Sequence, residues 1–185
     1  GICDPGEDIA RSVKSEGIDM ICVPGACAAI TALVSSGLPS SSFVFEGFLP
    51  KKKIDREKIL LEISKNEKTT IVYESPRRLK KLLKELLEFC GGHREIMVAR
   101  ELTKKFEEHV GNDIHNVIEF FRDKDIIGEI TIVIKGIKKR DSNPNKSIIK
   151  KDLQDLMDAG LSLSAASKYL AKKNDLKKSE VYNLI

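Results

Sequence analysis

Apolar positions recur along this chain in two rhythms. Runs of β-branched and aromatic residues predict strands at Phe43–Glu46, Thr69–Tyr73, Glu95–Arg100 and Glu129–Lys135, with a further short strand over Phe106–Val110. Apolar residues spaced three and four apart predict helices at Asp8–Glu16, Ile54–Lys65, Arg77–Cys90 and Asp113–Arg122. In the third of these, Leu79, Leu82, Leu83, Leu86 and Leu87 form the apolar stripe. The punctuation agrees: Gly17 and Gly91-Gly92 stop helices, and Ser75-Pro76 suits an N-cap followed by a first helical residue. Strands and helices alternating over residues 1–136 predict an α/β fold.

The stretch from Pro24 to Pro39 stands out. An apolar run, Ile18 to Val23, leads through a Pro24-Gly25 corner into an Ala-rich helix that Gly37 ends, so a strand–turn–helix unit is expected. The residues after the corner are small, and free N–H groups at a helix start suit a polar or anionic ligand group. Small residues also permit tight packing with no ligand at all, so two readings stand open at this point.

Residues 137–147 have the composition of a linker, and three short helical patterns follow over 148–185. They span Ile148–Asp158, Ser164–Lys172 and Lys177–Leu184, with turns at Gly160-Leu161-Ser162 and Asn174-Asp175 and with Ser162 and Ser164 as caps. The apolar set Leu153, Leu156, Met157, Leu161, Leu163, Ala166, Tyr169, Leu170, Val181 and Leu184 is expected to form one small core. A helix-turn-helix-like tail with lysines outward fits nucleic acid, and it fits a docking or dimer-stabilising appendage as well.

Composition changes this picture in two places. The net charge is +4, and from Ile137 onward 11 Lys and Arg face 6 Asp and Glu, so the tail carries the basicity. Cys3, Cys22, Cys27 and Cys90 form no C-x-x-C pair, and His93, His109 and His115 have no ligand spacing, so no metal and free thiols in a reducing compartment are expected. No apolar run approaches the roughly 20 residues of a membrane helix, and the opening residues do not read as a secretory leader. A cytoplasmic protein without membrane contact is the expectation.

Six segments remain: Asp4-Pro5-Gly6, the Pro24–Pro39 stretch, Glu46-Gly47-Phe48-Leu49-Pro50, Tyr73-Glu74-Ser75-Pro76-Arg77-Arg78, Ala99-Arg100-Glu101-Leu102-Thr103-Lys104 and Gly128-Glu129-Ile130-Thr131. In this order and spacing residues 1–136 resemble the ribosomal RNA small-subunit methyltransferase I family, of the tetrapyrrole (corrin/porphyrin) methylase superfamily. The basic tail looks like that family's C-terminal helical segment. The resemblance implies a mixed sheet with flanking helices, the second of two lobes that enclose S-adenosylmethionine. It also implies methyl transfer to a cytidine ribose 2′-oxygen in small-subunit ribosomal RNA, and a homodimer. The family's first lobe would lie before Gly1, so the 185 residues alone are expected to be inactive.

Carried over by position, the resemblance implies that Gly25, Ala26, Cys27, Ala28, Tyr73, Glu74, Ile130 and Thr131 line the cofactor site. A ribose hydroxyl loses its proton as the new bond forms, so a carboxylate is wanted nearby. Glu101 and Glu74, each at the C-terminal end of a predicted strand, are the candidates. Arg100 is expected to orient the acceptor, and Lys51, Lys52, Lys53, Arg77, Arg78 and Lys104 to meet RNA phosphates. The family more often has His where this chain has Arg77. An ordinary surface ion pair is the competing reading of Arg100-Glu101. Two other functions compete with the first: a tetrapyrrole methylase, which the basic tail and the Ala99–Lys104 segment disfavour, and a non-catalytic nucleic-acid-binding or dimerising module.

Overall fold

The strongest strand patterns become the middle of one sheet. The computed structural model describes residues 2–3, 5–137, 146–173 and 176–184, which fall into two units, 1–137 and 138–185. In the first, helices α1 (Glu7–Ser15) and α2 (Ala28–Ser36) precede β1 (Phe43–Phe48), α3 (Lys53–Lys65), β2 (Thr69–Glu74), α4 (Pro76–Cys90), β3 (Glu95–Arg100), β4 (Glu108–Asp113), α5 (Ile114–Phe121) and β5 (Ile130–Ile134). The sheet order is β1-β2-β5-β3-β4. β1 and β2 are parallel, and β5 runs antiparallel to both its neighbours, β2 and β3. All five residues of β5 are buried, as a strand enclosed on two faces requires.

Alternation along the strands separates two cores. One face carries Val72, Val98, Ile130, Ile132 and Ile134 against Leu79, Leu82, Leu83 and Leu86 of α4, Leu60 and Ile63 of α3, and Val117 and Phe121 of α5. Each such Leu contributes about 1.5–3 kcal/mol by leaving water. The other face carries Ile71, Met97, Ala99 and Val133 against Ala29, Ala32 and Leu33 of α2. One short small-residue helix thus serves the second face. The ends of β2 and β3 lie in one row with the start of β5, through the pairs Glu74–Ile130 and Arg100–Ile130.

Two expectations for this unit are corrected. Residues Ile18–Val23 form no strand, and Ile21 and Val23 are 89% and 83% exposed. A strand needs a hydrogen-bonding neighbour, and none is described beside this run. The strand expected over Phe106–Val110 lies at Glu108–Asp113, because turns at Lys104–Glu107 lengthen the connection from β3; Glu101 and Thr103 both take positive φ there (54° and 64°). Ser75 and Pro76 take the expected N-cap and first helical positions of α4, with the Ser75 hydroxyl accepting from Arg78 Nε at 3.1 Å rather than from a helix N–H. The helix that is capped is α5, by Asp113 Oδ1 on the Asn116 N–H at 2.9 Å.

The second unit holds α6 (Lys146–Asp158), α7 (Leu163–Lys173) and α8 (Lys178–Tyr182). Its core is Ile149, Leu153, Ala166, Leu170, Ala171 and Val181, with Leu156, Met157, Leu163, Leu176 and Leu184 packed against it. Leu161 (39% exposed) and Tyr169 (57%) are not in it. On α7 the inward face is 163, 166, 167, 170 and 171, which turns Tyr169 outward with Lys168 and Lys172. Ser162 caps α7 through the Ala165 N–H, while Ser164 accepts from Lys178 Nζ instead. Of the expected linker, Ile137 donates its N–H to Asn66 O in the first unit and 146–147 open α6. Residues 138–145, and the expected turn at Asn174-Asp175, lie outside the described residues.

Candidate active site

The face that carries α2 is open beside that helix, where a cleft of about 880 Å³ forms. Its walls come from four separated stretches: Ala26–Ile30 at the start of α2, Phe43, Phe45 and Phe48 on β1, the corner Tyr73–Pro76 after β2, and Gly128–Thr131 leading into β5; Ile2 and Cys3 add to the rim. Tyr73 ties the walls together. Its hydroxyl accepts the Ala29 N–H at 3.1 Å, and its ring meets Phe45 and Phe48 edge-on at 5.0 and 5.6 Å.

Of the residues expected at the cofactor, Ala26, Cys27, Ala28, Tyr73, Glu74, Ile130 and Thr131 line this cleft, and Gly25 does not. The phenylalanines were missed by the sequence reading, although a signal existed. Phe43 and Phe45 alternate onto one face, and the register shift between Phe45 and Gly47 brings Phe48 round to Tyr73. Gly47 sits at φ 62°, and a Cβ there would stand 2.9 Å from Cys3 Sγ.

The expected catalytic residues separate by face. Glu74 alternates away from Tyr73, and its side chain is fully enclosed (0% exposed). Its Oε2 faces Arg56 Nη2 at 3.3 Å, and its Oε1 accepts from Arg78 Nε at 2.7 Å and from the Ser75 N–H at 2.8 Å. Arg100 also turns to the helix-covered side. It donates to Glu108 Oε2 (3.1 Å) and to Ile127 O (3.4 Å), beside a separate hollow of about 270 Å³ lined by Phe106 and Phe121.

Glu101 is placed differently. Its N–H donates to Glu129 O at 2.9 Å, and its Oε1 accepts the Glu129 N–H (2.8 Å) and Lys104 Nζ (2.9 Å). Those bonds, the backbone N–H first and the ammonium second, hold its carboxyl below the usual range. Oε1 takes both contacts, and among the described residues Oε2 is uncommitted. Through Glu129 the group touches the cleft wall itself.

The basic candidates divide likewise. Lys51, Lys52, Lys53 and Arg77 are exposed, with only long contacts from Lys52 to Asp55 (3.8 Å) and Lys53 to Glu57 (3.6 Å). Arg78 is engaged by Glu74 and Ser75, and Lys104 by Glu101 and Glu129. Among the described residues no His, Cys, Asp and Glu gather to hold a metal ion, and no helix is long and apolar enough to cross a membrane. All four cysteines are free; burial pushes the Cys90 thiol up.

A family model for tetrapyrrole (corrin/porphyrin) methylases matches residues 1–117. Over all 185 residues the chain is 38% identical to a ribosomal RNA small subunit methyltransferase I of Synechocystis sp., covering 66% of that protein. It is 38% identical over 183 residues to the Vibrio cholerae protein of the same name, covering 98% of this chain and 63% of the relative. The chain belongs to the ribosomal RNA small subunit methyltransferase I family of tetrapyrrole methylases. It spans just under two thirds of the length of these relatives. Two solved structures share the fold: a cobalt precorrin-4 methyltransferase of cobalamin biosynthesis (TM-score 0.52, 18% identity, covering 69% of this chain and 56% of that one) and the methyltransferase CobJ (TM-score 0.51, 19% identity, covering 70% and 56%). At that identity the likeness concerns the fold alone.

Proposed function

We propose that this chain carries one lobe of an S-adenosylmethionine-dependent methyltransferase acting on a cytidine ribose 2′-oxygen of small-subunit ribosomal RNA. The carrying observation is the cleft at Tyr73, assembled from the segments that the family resemblance marks, in a chain whose named relatives are ribosomal RNA methyltransferases. The two solved methyltransferases share its fold at 18–19% identity and give no argument for a tetrapyrrole substrate.

The donor set fits the cofactor. Small Ala26 and Ala28 leave room at the start of α2, where first-turn N–H groups suit a carboxylate. Phe45, Phe48 and Tyr73 offer aromatic surface to a nucleoside. Bound S-adenosylmethionine supplies an electrophilic methyl group on a cationic sulfur. The apolar wall keeps water from that charge, and fixed backbone dipoles hold the geometry.

For the acceptor, we assign Glu101 as the proton-accepting carboxylate, with Oε1 anchored and Oε2 left to take the proton. Glu74, enclosed and triply bonded, holds the corner in place instead. Of the basic residues expected at RNA, the exposed Lys51, Lys52, Lys53 and Arg77 are assigned to meet phosphates, and the outward face of α7 extends that role. The homodimer and the cytoplasmic setting belong to the same reading.

Phe48 (52% exposed), Ile30 (44%) and Phe43 (38%) leave the cleft one-sided. The 185-residue chain is therefore expected to bind S-adenosylmethionine weakly in a calorimeter; micromolar affinity would show that one lobe suffices. For the full-length enzyme, alkaline hydrolysis of methylated small-subunit RNA is decisive, because a 2′-O-methyl group blocks cleavage of the next phosphodiester. One protected cytidine linkage is expected, and a methyl group found on a base sinks the proposal.

A further inference from the structure

Arg56 lies on α3 among exposed lysines, yet its own side chain is 6% exposed. Nε and Nη2 both reach Glu85 Oε2 at 2.8 Å, and Nη2 reaches Glu74 Oε2 at 3.3 Å. With Arg78 on the other oxygen of Glu74, two guanidinium groups meet two carboxylates, and Lys81 Nζ stands 3.8 Å from Glu85 Oε1 at the outer end. Buried ion networks of this kind are poor sources of stability, since well-packed apolar residues often do as well. What a guanidinium fork does supply is direction, because its planar donors fix the carboxylate in angle as well as distance.

That direction matters because of what lies on the other side of the strand. Glu74 and Tyr73 are consecutive, so their side chains point to opposite faces. Fixing the Glu74 carboxylate from behind fixes the last residues of β2 and, through the Ser75 N–H, the turn into α4. In front stands Tyr73, which holds the start of α2 and the ring of Phe48. Arg56 itself does not line the cleft.

We propose that Arg56 is a positioning residue of the cleft: acting through Glu74, its guanidinium sets the angle of the Tyr73–Pro76 corner without touching the ligand. The identity of that ligand rests on the S-adenosylmethionine reading above; the mechanical claim does not.

The test separates the two. The chain has three tyrosines, of which Tyr169 and Tyr182 lie in the tail. Labelling the 185-residue chain with fluorotyrosine gives three fluorine resonances, and Tyr73→Phe identifies one. Arg56→Lys keeps the charge and loses the fork. The Tyr73 resonance is expected to shift or broaden while the two tail resonances stay. An unmoved Tyr73 signal in folded Arg56→Lys protein overturns the proposal. Should that variant lose its fold, Glu85→Gln, which releases Arg56 on its outer side, serves in its place, and an unmoved signal there counts equally against it. In the full-length enzyme, Arg56→Lys should weaken S-adenosylhomocysteine binding about tenfold through misplacement of the wall, and unchanged affinity also overturns the proposal. If Tyr73 responds but S-adenosylhomocysteine binds neither protein, the positioning role stands and the ligand reading fails.

Discussion

Glu101 and Gly128 are locked together at the edge of the cleft. Gly128 sits at φ 91°, and a Cβ on it would lie 2.4 Å from the Glu101 carboxyl carbon. The glycine is thus required twice, by its backbone angle and by the side chain pressed on it. Gly128→Ala should destabilise the fold by about 1–3 kcal/mol, seen as a lower denaturant midpoint. A midpoint equal to wild type would show that the loop yields without cost.

Glu101→Gln keeps an oxygen that can accept the Glu129 N–H, so the wall should stay in place. It removes the proton acceptor. Turnover on ribosomal RNA should fall on the order of a hundredfold or more, with S-adenosylhomocysteine affinity nearly unchanged. Normal turnover would remove Glu101 from the chemistry, and lost affinity would make it a structural latch.

Acid should loosen this region and, at the other end of β4, the start of α5. Glu101 is held low by the Glu129 N–H and then Lys104, Glu107 by the His109 ring and then the Thr103 N–H, and Asp113 by the Asn116 N–H. A carboxylate whose pKa is lower folded than unfolded lends stability that is fully present above the unfolded value, about 4, and is lost as pH falls through the folded one. Thermal midpoints should therefore drop below about pH 4 and vary less steeply in Glu101→Gln. Parallel curves would mean that the depressed carboxyl contributes nothing.

On the tail, Lys168 and Lys172 flank the exposed Tyr169, with no acidic residue on α7. Replacing both lysines with Ala should weaken RNA binding and flatten its dependence on salt. The log–log slope should fall by about 0.7–0.9 for each phosphate no longer neutralised. An unaltered slope in a filter-binding titration assigns the tail to packing.

How much was legible in the sequence depends on range. Local signals gave the helices and the central strands, because Leu79–Leu87 carries one dominant period and Ile130–Ile134 is an unbroken β-branched run. Ile18–Val23 misled, since an apolar run reports a wish for burial and says nothing of whether a partner strand is present. The cleft was legible only as segments. That Arg56 belongs behind Glu74 is set by the packing of α3 on α4, a contact between positions 18 residues apart that no motif encodes. The aromatic wall hid behind a bulge, where period-two counting fails.

The four stretches that wall the cleft begin near residues 26, 43, 73 and 128; two strand pairings join the last three, and the Ala29–Tyr73 hydrogen bond ties in the first. Such a pocket has no partial existence: contacts this far apart along the chain close late, when the sheet closes. Occupancy therefore senses the whole lobe, and a ligand at a hundred times its dissociation constant would raise the unfolding free energy by about 2.7 kcal/mol everywhere in it at once.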